Sequence, residues 1–244
     1  MANDYFRFKQ FTVQQPAAAM KVTTDGCLFG AWVAAKLARE PAAARKVLDI
    51  GTGTGLLSLM FAQQNPNCSI DAIELDAAAC SDATRNFEAS PWAERLRLIQ
   101  GDIRNHRFTH PYDLVICNPP FYENELKGSD TGKNRAHHDA SLTWTELAPL
   151  LVQLVKPGGH IALLLPYKRE AMIDALLPAG DWQLVAKTNV RQSIQHNYFR
   201  VMLIAEKKAA STTMYVEDEI AITGDNQTYT AAFTALLQTY YLKL

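Results

Sequence analysis

Short apolar runs recur along this chain, and longer stretches with apolar residues at helical spacing lie between them. Residues 47–50, 69–75, 96–101 and 112–117 read as buried strands, and 56–64 and 77–89 read as helices between the first three,. Strands alternating with helices predict a parallel, doubly wound α/β sheet. Farther on, 143–155 predicts a helix with Trp144, Leu147, Leu150, Leu151 and Leu154 on one face, ended by Lys156-Pro157-Gly158-Gly159,. A continuous apolar strand over 161–165 and a short helix over 171–177 follow. Residues 182–190 and 198–206 carry little helical signal between them and predict an antiparallel pair that completes the sheet,. Ahead of this core, Phe6, Phe8, Phe11 and Val13 alternate with polar residues as an extended arm, and Thr23 or Thr24 caps a helix running to about Leu37,. Behind it, 215–223 alternates weakly as a strand, and 229–242 predicts a helix whose Phe233, Leu236, Leu237, Tyr240 and Tyr241 pack into the core. The expected organisation is an arm and helix over 1–45, a core over 46–208, and a strand–helix addition to the same domain over 209–244.

The ends of the predicted strands carry the candidate chemistry. Residues 47–50 run into Gly51-Thr52-Gly53-Thr54-Gly55 and then an apolar helix start. Alternate glycines let a backbone turn tightly and approach a ligand. The spacing is not that of a dinucleotide loop, because Leu56 stands where a third glycine is required,. Glu74 ends the next strand, where a carboxylate takes both hydroxyls of a ribose,. Asp102, after the third strand, is an acceptor for an adenine amine. Asp49 precedes the glycine loop, either bracing it or acting indirectly near a cofactor.

Asn118-Pro119-Pro120-Phe121, with Tyr122 behind it, directly follows the strand 112–117. Neither proline has an N–H to give, so strand pairing stops and a rigid elbow forms. The Asn118 side-chain oxygen and the Pro119 carbonyl are two acceptors. Aimed at an exocyclic NH2, they hold its protons and draw its lone pair out of conjugation. Phe121 or Tyr122 then stacks on the ring bearing that amine. An ordinary turn ended by two prolines is the bland alternative. The polar stretch over 122–142 sits beyond this elbow, and Lys127, Lys133 and Arg135 make it a candidate substrate lid that meets phosphates,.

Composition narrows the partners. The 244 residues are 48% apolar and 20% charged, with a net charge of −1. No global field draws in nucleic acid, so RNA binding requires a local basic face. Four cysteines without C-x-x-C spacing predict reduced thiols in a cytoplasmic protein,. No run is long and apolar enough for a membrane span, and no signal-peptide pattern opens the chain. The adjacent His137 and His138 lack further ligands, so no metal is expected,.

The glycine loop, Glu74, Asp102 and the Asn118-Pro119-Pro120-Phe121 elbow, in this order, resemble the class I S-adenosylmethionine-dependent methyltransferases, in the amino-methylating branch with an N-P-P-[FY] motif. The segment from Met20 to Trp32, the stretch Ser90 to Arg95 and the Tyr-rich tail are similar to those of bacterial enzymes that methylate the adenine beside the anticodon of a valine tRNA. The resemblance covers nearly the whole chain. It implies a seven-stranded, Rossmann-like sheet with an antiparallel last strand, S-adenosyl-L-methionine as cofactor, and tRNA as partner. It also implies that Lys21, Thr24 and Asp25 lie beside the cofactor's methionine end. No strong general base is needed, because the amine loses its proton after the methyl arrives, and a monomer is expected ahead of an oligomer. Guanine-N2 methylation of ribosomal RNA, methylation of a protein glutamine amide, and a non-catalytic RNA-binding module with this fold are the alternatives. The short segment ahead of the glycine loop argues against the glutamine enzymes.

Overall fold

The computed structural model describes residues 4–38, 45–119, 142–208 and 215–244. In chain order its elements are β1 (Tyr5–Arg7), β2 (Thr12–Gln14), α1 (Thr24–Leu37), β3 (Arg45–Ile50), α2 (Leu56–Gln64), β4 (Cys68–Glu74), α3 (Ala77–Glu88), β5 (Leu96–Gln100) and β6 (Tyr112–Cys117). They continue with α4 (Trp144–Leu154), β7 (Val155–Pro166), α5 (Ala171–Ala179), β8 (Trp182–Ser193), β9 (Tyr198–Lys207), β10 (Val216–Thr223) and α6 (Ala231–Leu237).

The main sheet runs in the order β10-β8-β9-β7-β6-β3-β4-β5. β3 pairs in parallel with both β4 and β6. The chain therefore winds outward in both directions from the β3–β6 pair, which is the position where such sheets bind ligands. β9 is antiparallel to β7 and to β8, as expected.

The expected strand number is corrected from seven to eight. β10 adds to the edge by pairing in parallel with β8. Its outer residues Val216–Glu219 are exposed while Ile220 and Ile222 are buried. Four successive exposed residues followed by buried Ile220 and Ile222 fit an edge strand that packs only its second half on the core,.

Alternate residues of the central strands feed two cores. Val47, Leu114 and Ile116 face the layer of α1, α2 and α6. Leu48, Ile50, Val115 and Cys117 face α4 and α5. Each fully buried side chain of this size contributes about 1.5–3 kcal/mol relative to its exposed state. The N-terminal arm is a hairpin, since β1 and β2 pair antiparallel as a separate sheet. Its Phe8 stacks on Phe11, with ring centroids 4.4 Å apart.

The last helix is shorter than its periodicity predicts. The Thr230 hydroxyl accepts from Phe233 N and starts α6. After Leu237 the chain leaves the helix so that Tyr240 O accepts from Lys9 N and Tyr241 bridges Phe8. The tail aromatics are core, as the pattern indicates: Phe233, Tyr240 and Tyr241 are buried. All four cysteines are free and buried. No helix among the described residues is long and apolar enough to cross a membrane, and no group of three or more potential metal ligands occurs among them.

Candidate active site

The carboxyl ends of β3, β4, β5 and β6 open on one cavity of about 460 Å³. Gly51 and Gly53 form its floor, with Glu74, Asp102, Asn118 and Pro119 around it and Ile50, Ile73 and Ile103 as apolar walls. Gly51 and Gly53 have φ of +68° and +56°, and a Cβ built on either meets nothing within 4 Å. The floor is thus left-handed backbone with open space above it.

Hydrogen bonds hold this edge in register. The Ile73 carbonyl accepts from Gly51 N at 2.9 Å and from Thr52 N at 3.2 Å. The Glu74 carboxylate accepts from Gly53 N through Oε2 and from Leu75 N and Asp76 N through Oε1, each at 2.9 Å. Glu74 is therefore pinned between the glycine loop and the start of α3. Asp76 caps that helix, accepting from Ala79 N at 2.7 Å.

Asp102 is clamped by Arg104, two residues on, which is not among the expected site residues. Arg104 Nε donates to both carboxylate oxygens at 2.9 Å, and its backbone N–H donates to Oδ1. These hydrogen bonds hold the Asp102 carboxyl below its usual range, against a smaller opposing effect of burial. Arg104 also donates to Glu146 on α4 at 3.2 Å, tying the exit of β5 to the helix that follows the elbow. The signal for this clamp in the sequence is the spacing Asp102-Ile103-Arg104.

Asp49 does not line the cavity. It is fully buried behind the loop, and its Oδ2 accepts from the Thr52 and Ser58 hydroxyls at 2.7 Å. This is the bracing role, made through hydroxyls. Its Oδ1 has no hydrogen-bond partner among the described residues. Burial pushes the Asp49 carboxyl up to about 6, although the two hydroxyls act in the opposite direction. An acid raised in the folded state favours folding while protonated, and that stability is lost as pH rises from about 4 through 6. The stability of the wild type minus that of Asp49→Asn is therefore expected to fall by about 2 kcal/mol between pH 4 and 7, and to be flat above that,. Urea unfolding of both proteins across this range measures it, and a difference independent of pH would contradict the assignment.

The remaining expected residues fall elsewhere. Lys21 Nζ donates to the carbonyls of Gln15 and Pro16. Thr24 is the exposed first residue of α1, whose cap is Thr23. Asp25 accepts from Arg200 Nε at 2.7 Å. Burial opposes its ionisation, but hydrogen bonds from Thr23 and Arg200 outweigh this and lower its pKa. Gly55, with φ of +83°, starts α2 beneath the loop and is buried. None of these four lines the cavity. Instead Ala18, Ala19 and Met20 border it, because Asp82 on α3 accepts from Ala17 N and Ala18 N at 3.0 and 2.9 Å. Pro120, Phe121, Tyr122, Lys127, Lys133 and Arg135 lie outside the described residues.

Residues 31–139 match the family model described as "Methyltransferase small domain". A protein of Dyadobacter fermentans named tRNA1(Val) (adenine(37)-N6)-methyltransferase is 38% identical over 242 residues, spanning 99% of this chain and 98% of that protein. One of the same name from Tolumonas auensis is 36% identical over 245 residues, spanning 100% and 99%. Among solved structures, a predicted O-methyltransferase of Agrobacterium tumefaciens superposes with a TM-score of 0.62 at 15% identity, over 88% of this chain and 96% of that one. That likeness shows the class I methyltransferase fold.

Proposed function

The chain belongs to the tRNA1(Val) (adenine(37)-N6)-methyltransferase family, and from that premise we propose that it methylates the exocyclic N6 amine of adenine 37 in tRNA, using S-adenosylmethionine and a valine isoacceptor. The observation that carries the reading is the shared cavity: Asn118 and Pro119 line it together with Gly51, Gly53, Glu74 and Asp102.

The cavity fits the cofactor. An open, left-handed glycine floor accommodates a close approach that any side chain there would block. Glu74 supplies two oxygens for a ribose diol, Asp102 an acceptor near the adenine, and Ile50, Ile73 and Ile103 the apolar walls,. S-adenosylmethionine supplies an electrophilic methyl group on a sulfonium centre.

The chain's own residues do the rest by positioning. The Asn118 side-chain oxygen and the Pro119 carbonyl accept the two amine protons of the target adenine. The nitrogen lone pair is then no longer shared with the ring and becomes available for transfer. Both acceptors stand at the end of β6, a strand buried from Leu114 to Cys117, so they are fixed before substrate arrives. No strong base is needed, because the amine loses its proton once alkylated. We assign Phe121 to stack on the target base, which is unstacked in the anticodon loop. Pro120 stiffens the elbow, and Tyr122, Lys127, Lys133 and Arg135 extend the substrate surface. Lys21, Thr24 and Asp25 are assigned to the rim near the cofactor's amino-acid end.

The test is methyl transfer from labelled S-adenosylmethionine to unmodified total tRNA, followed by nucleoside analysis. N6-methyladenosine in a valine tRNA is the expected product. Label in ribosomal RNA or in a protein, with none in tRNA, would overturn the substrate assignment and leave the cofactor assignment standing.

A further inference from the structure

The sheet edge that carries Asn118 continues past β6, and a second concavity lies farther along it. β7 ends at Pro166 and enters a single 3-10 turn over Tyr167–Arg169. The turn between β8 and β9 lies at the same edge, because β9 runs antiparallel to both of its neighbours. Tyr167, Arg191, His196 and Tyr198 line the resulting groove.

Its chemistry is that of a stacking platform with a cation. The Tyr167 and Tyr198 rings are 5.2 Å apart and tilted by 53°. The Arg191 guanidinium lies 5.4 Å from the centre of the Tyr198 ring. Arg191 is partly exposed, and its Nε is buried without a hydrogen-bond partner among the described residues. Glu219 on β10 contacts both the Arg191 guanidinium and the Tyr198 hydroxyl. Such a partly exposed ion pair adds little stability, so it orients Arg191 without closing the groove to an incoming anion. The reaction assigned to the cavity uses none of these groups.

We propose that this groove is a docking subsite for a single-stranded nucleotide of the RNA substrate flanking the methylated base. Its base stacks on the tyrosine pair, and its phosphate takes Arg191 in exchange for Glu219. Position supports this occupant. β7 is the immediate neighbour of β6 and β9 the next strand, so the groove lies about two strand spacings, on the order of 10 Å, from the elbow. A chain with a net charge of −1 requires a local cationic and aromatic face to hold RNA,, and this groove supplies one beside the site. The inference rests on the tRNA reading above.

The test compares the wild type with Arg191→Gln, Tyr167→Ala and Tyr198→Phe in steady-state methylation of unmodified tRNA at several salt concentrations. Arg191→Gln is expected to raise KM for tRNA about tenfold and to flatten its salt dependence by about one phosphate contact. Tyr167→Ala is expected to raise KM about tenfold without changing the salt slope. Tyr198→Phe keeps the ring and is expected to stay near the wild type. In all three, kcat, thermal stability and the Kd for S-adenosylhomocysteine are expected to be unchanged. A wild type that methylates tRNA, with KM and salt slope unaltered in Arg191→Gln and Tyr167→Ala, overturns this inference alone. A wild type that methylates no tRNA overturns the substrate reading and this inference with it.

Discussion

Replacing Asn118 with alanine is expected to lower kcat for tRNA methylation about a hundredfold or more, the range seen when one preorganised polar group is removed from a reacting centre. The reason is the electronic state of the target. An exocyclic adenine amine shares its lone pair with the ring, and acceptors that claim both its protons relieve that sharing. Alanine leaves the Pro119 carbonyl as the single acceptor at the end of β6. The strand beneath is unaffected, because Val115, Ile116 and Cys117 are buried regardless of the next side chain. The Kd for S-adenosylhomocysteine and the unfolding midpoint are therefore expected to change little. Asn118→Asp keeps acceptors but adds charge near Glu74 and Asp102, so it is expected to retain part of the lost activity. Single-turnover rates with unmodified tRNA measure the effect, and an alanine variant that turns over at the wild-type rate would remove Asn118 from the chemistry.

A large loss of stability is expected at Gly55, where backbone strain and a steric clash coincide. Its φ is +83°, a conformation that costs a residue with a Cβ about 1–2 kcal/mol,. A Cβ there would also stand 2.4 Å from Cε1 of Phe87. Phe87 is buried on α3 and cannot swing into solvent without emptying its site, and overpacking of this kind costs about 1–3 kcal/mol more. Gly55→Ala is therefore expected to destabilise the fold by about 4 kcal/mol in urea or thermal unfolding. Gly53→Ala is the informative contrast. It carries similar backbone strain, but nothing lies within 4 Å of its Cβ. Its expected defect is chiefly weaker binding of S-adenosylhomocysteine. Equal stabilities for the two variants would show that the Phe87 contact does not constrain the loop.

Much of this molecule is legible in its residue pattern. The runs 47–50 and 112–117 are apolar enough to be central strands whatever surrounds them, and β3 and β6 occupy those positions. The helix over 56–64 follows from its glycine start and unbroken apolar run, and α2 spans those residues. The glycine loop, Glu74 and the Asn118–Pro119 elbow are local features: spacing within a few residues of a strand end suffices to point them at one sheet edge. Other features depend on partners distant in sequence. Asp82 lies on a helix face like any solvated carboxylate, and only folding brings Ala17 and Ala18 to it. Arg104 is two residues from Asp102, but its link to Glu146 spans the elbow and the segment beyond it. Asp25 reads as a helix-start acid until Arg200, far along the chain, reaches it.

Periodicity, glycine freedom and proline's missing N–H act over short stretches of chain, and they set the order of strands and helices, the glycine loop and the elbow,. That β10 joins the sheet as an eighth strand, that Asp49 is buried to the point of resisting ionisation, and that Tyr167 joins the hairpin pair Arg191 and Tyr198 in one groove became visible only in the folded chain. Edge pairing, desolvation and side-chain convergence depend on which distant segments the fold brings together, and no local pattern encodes that.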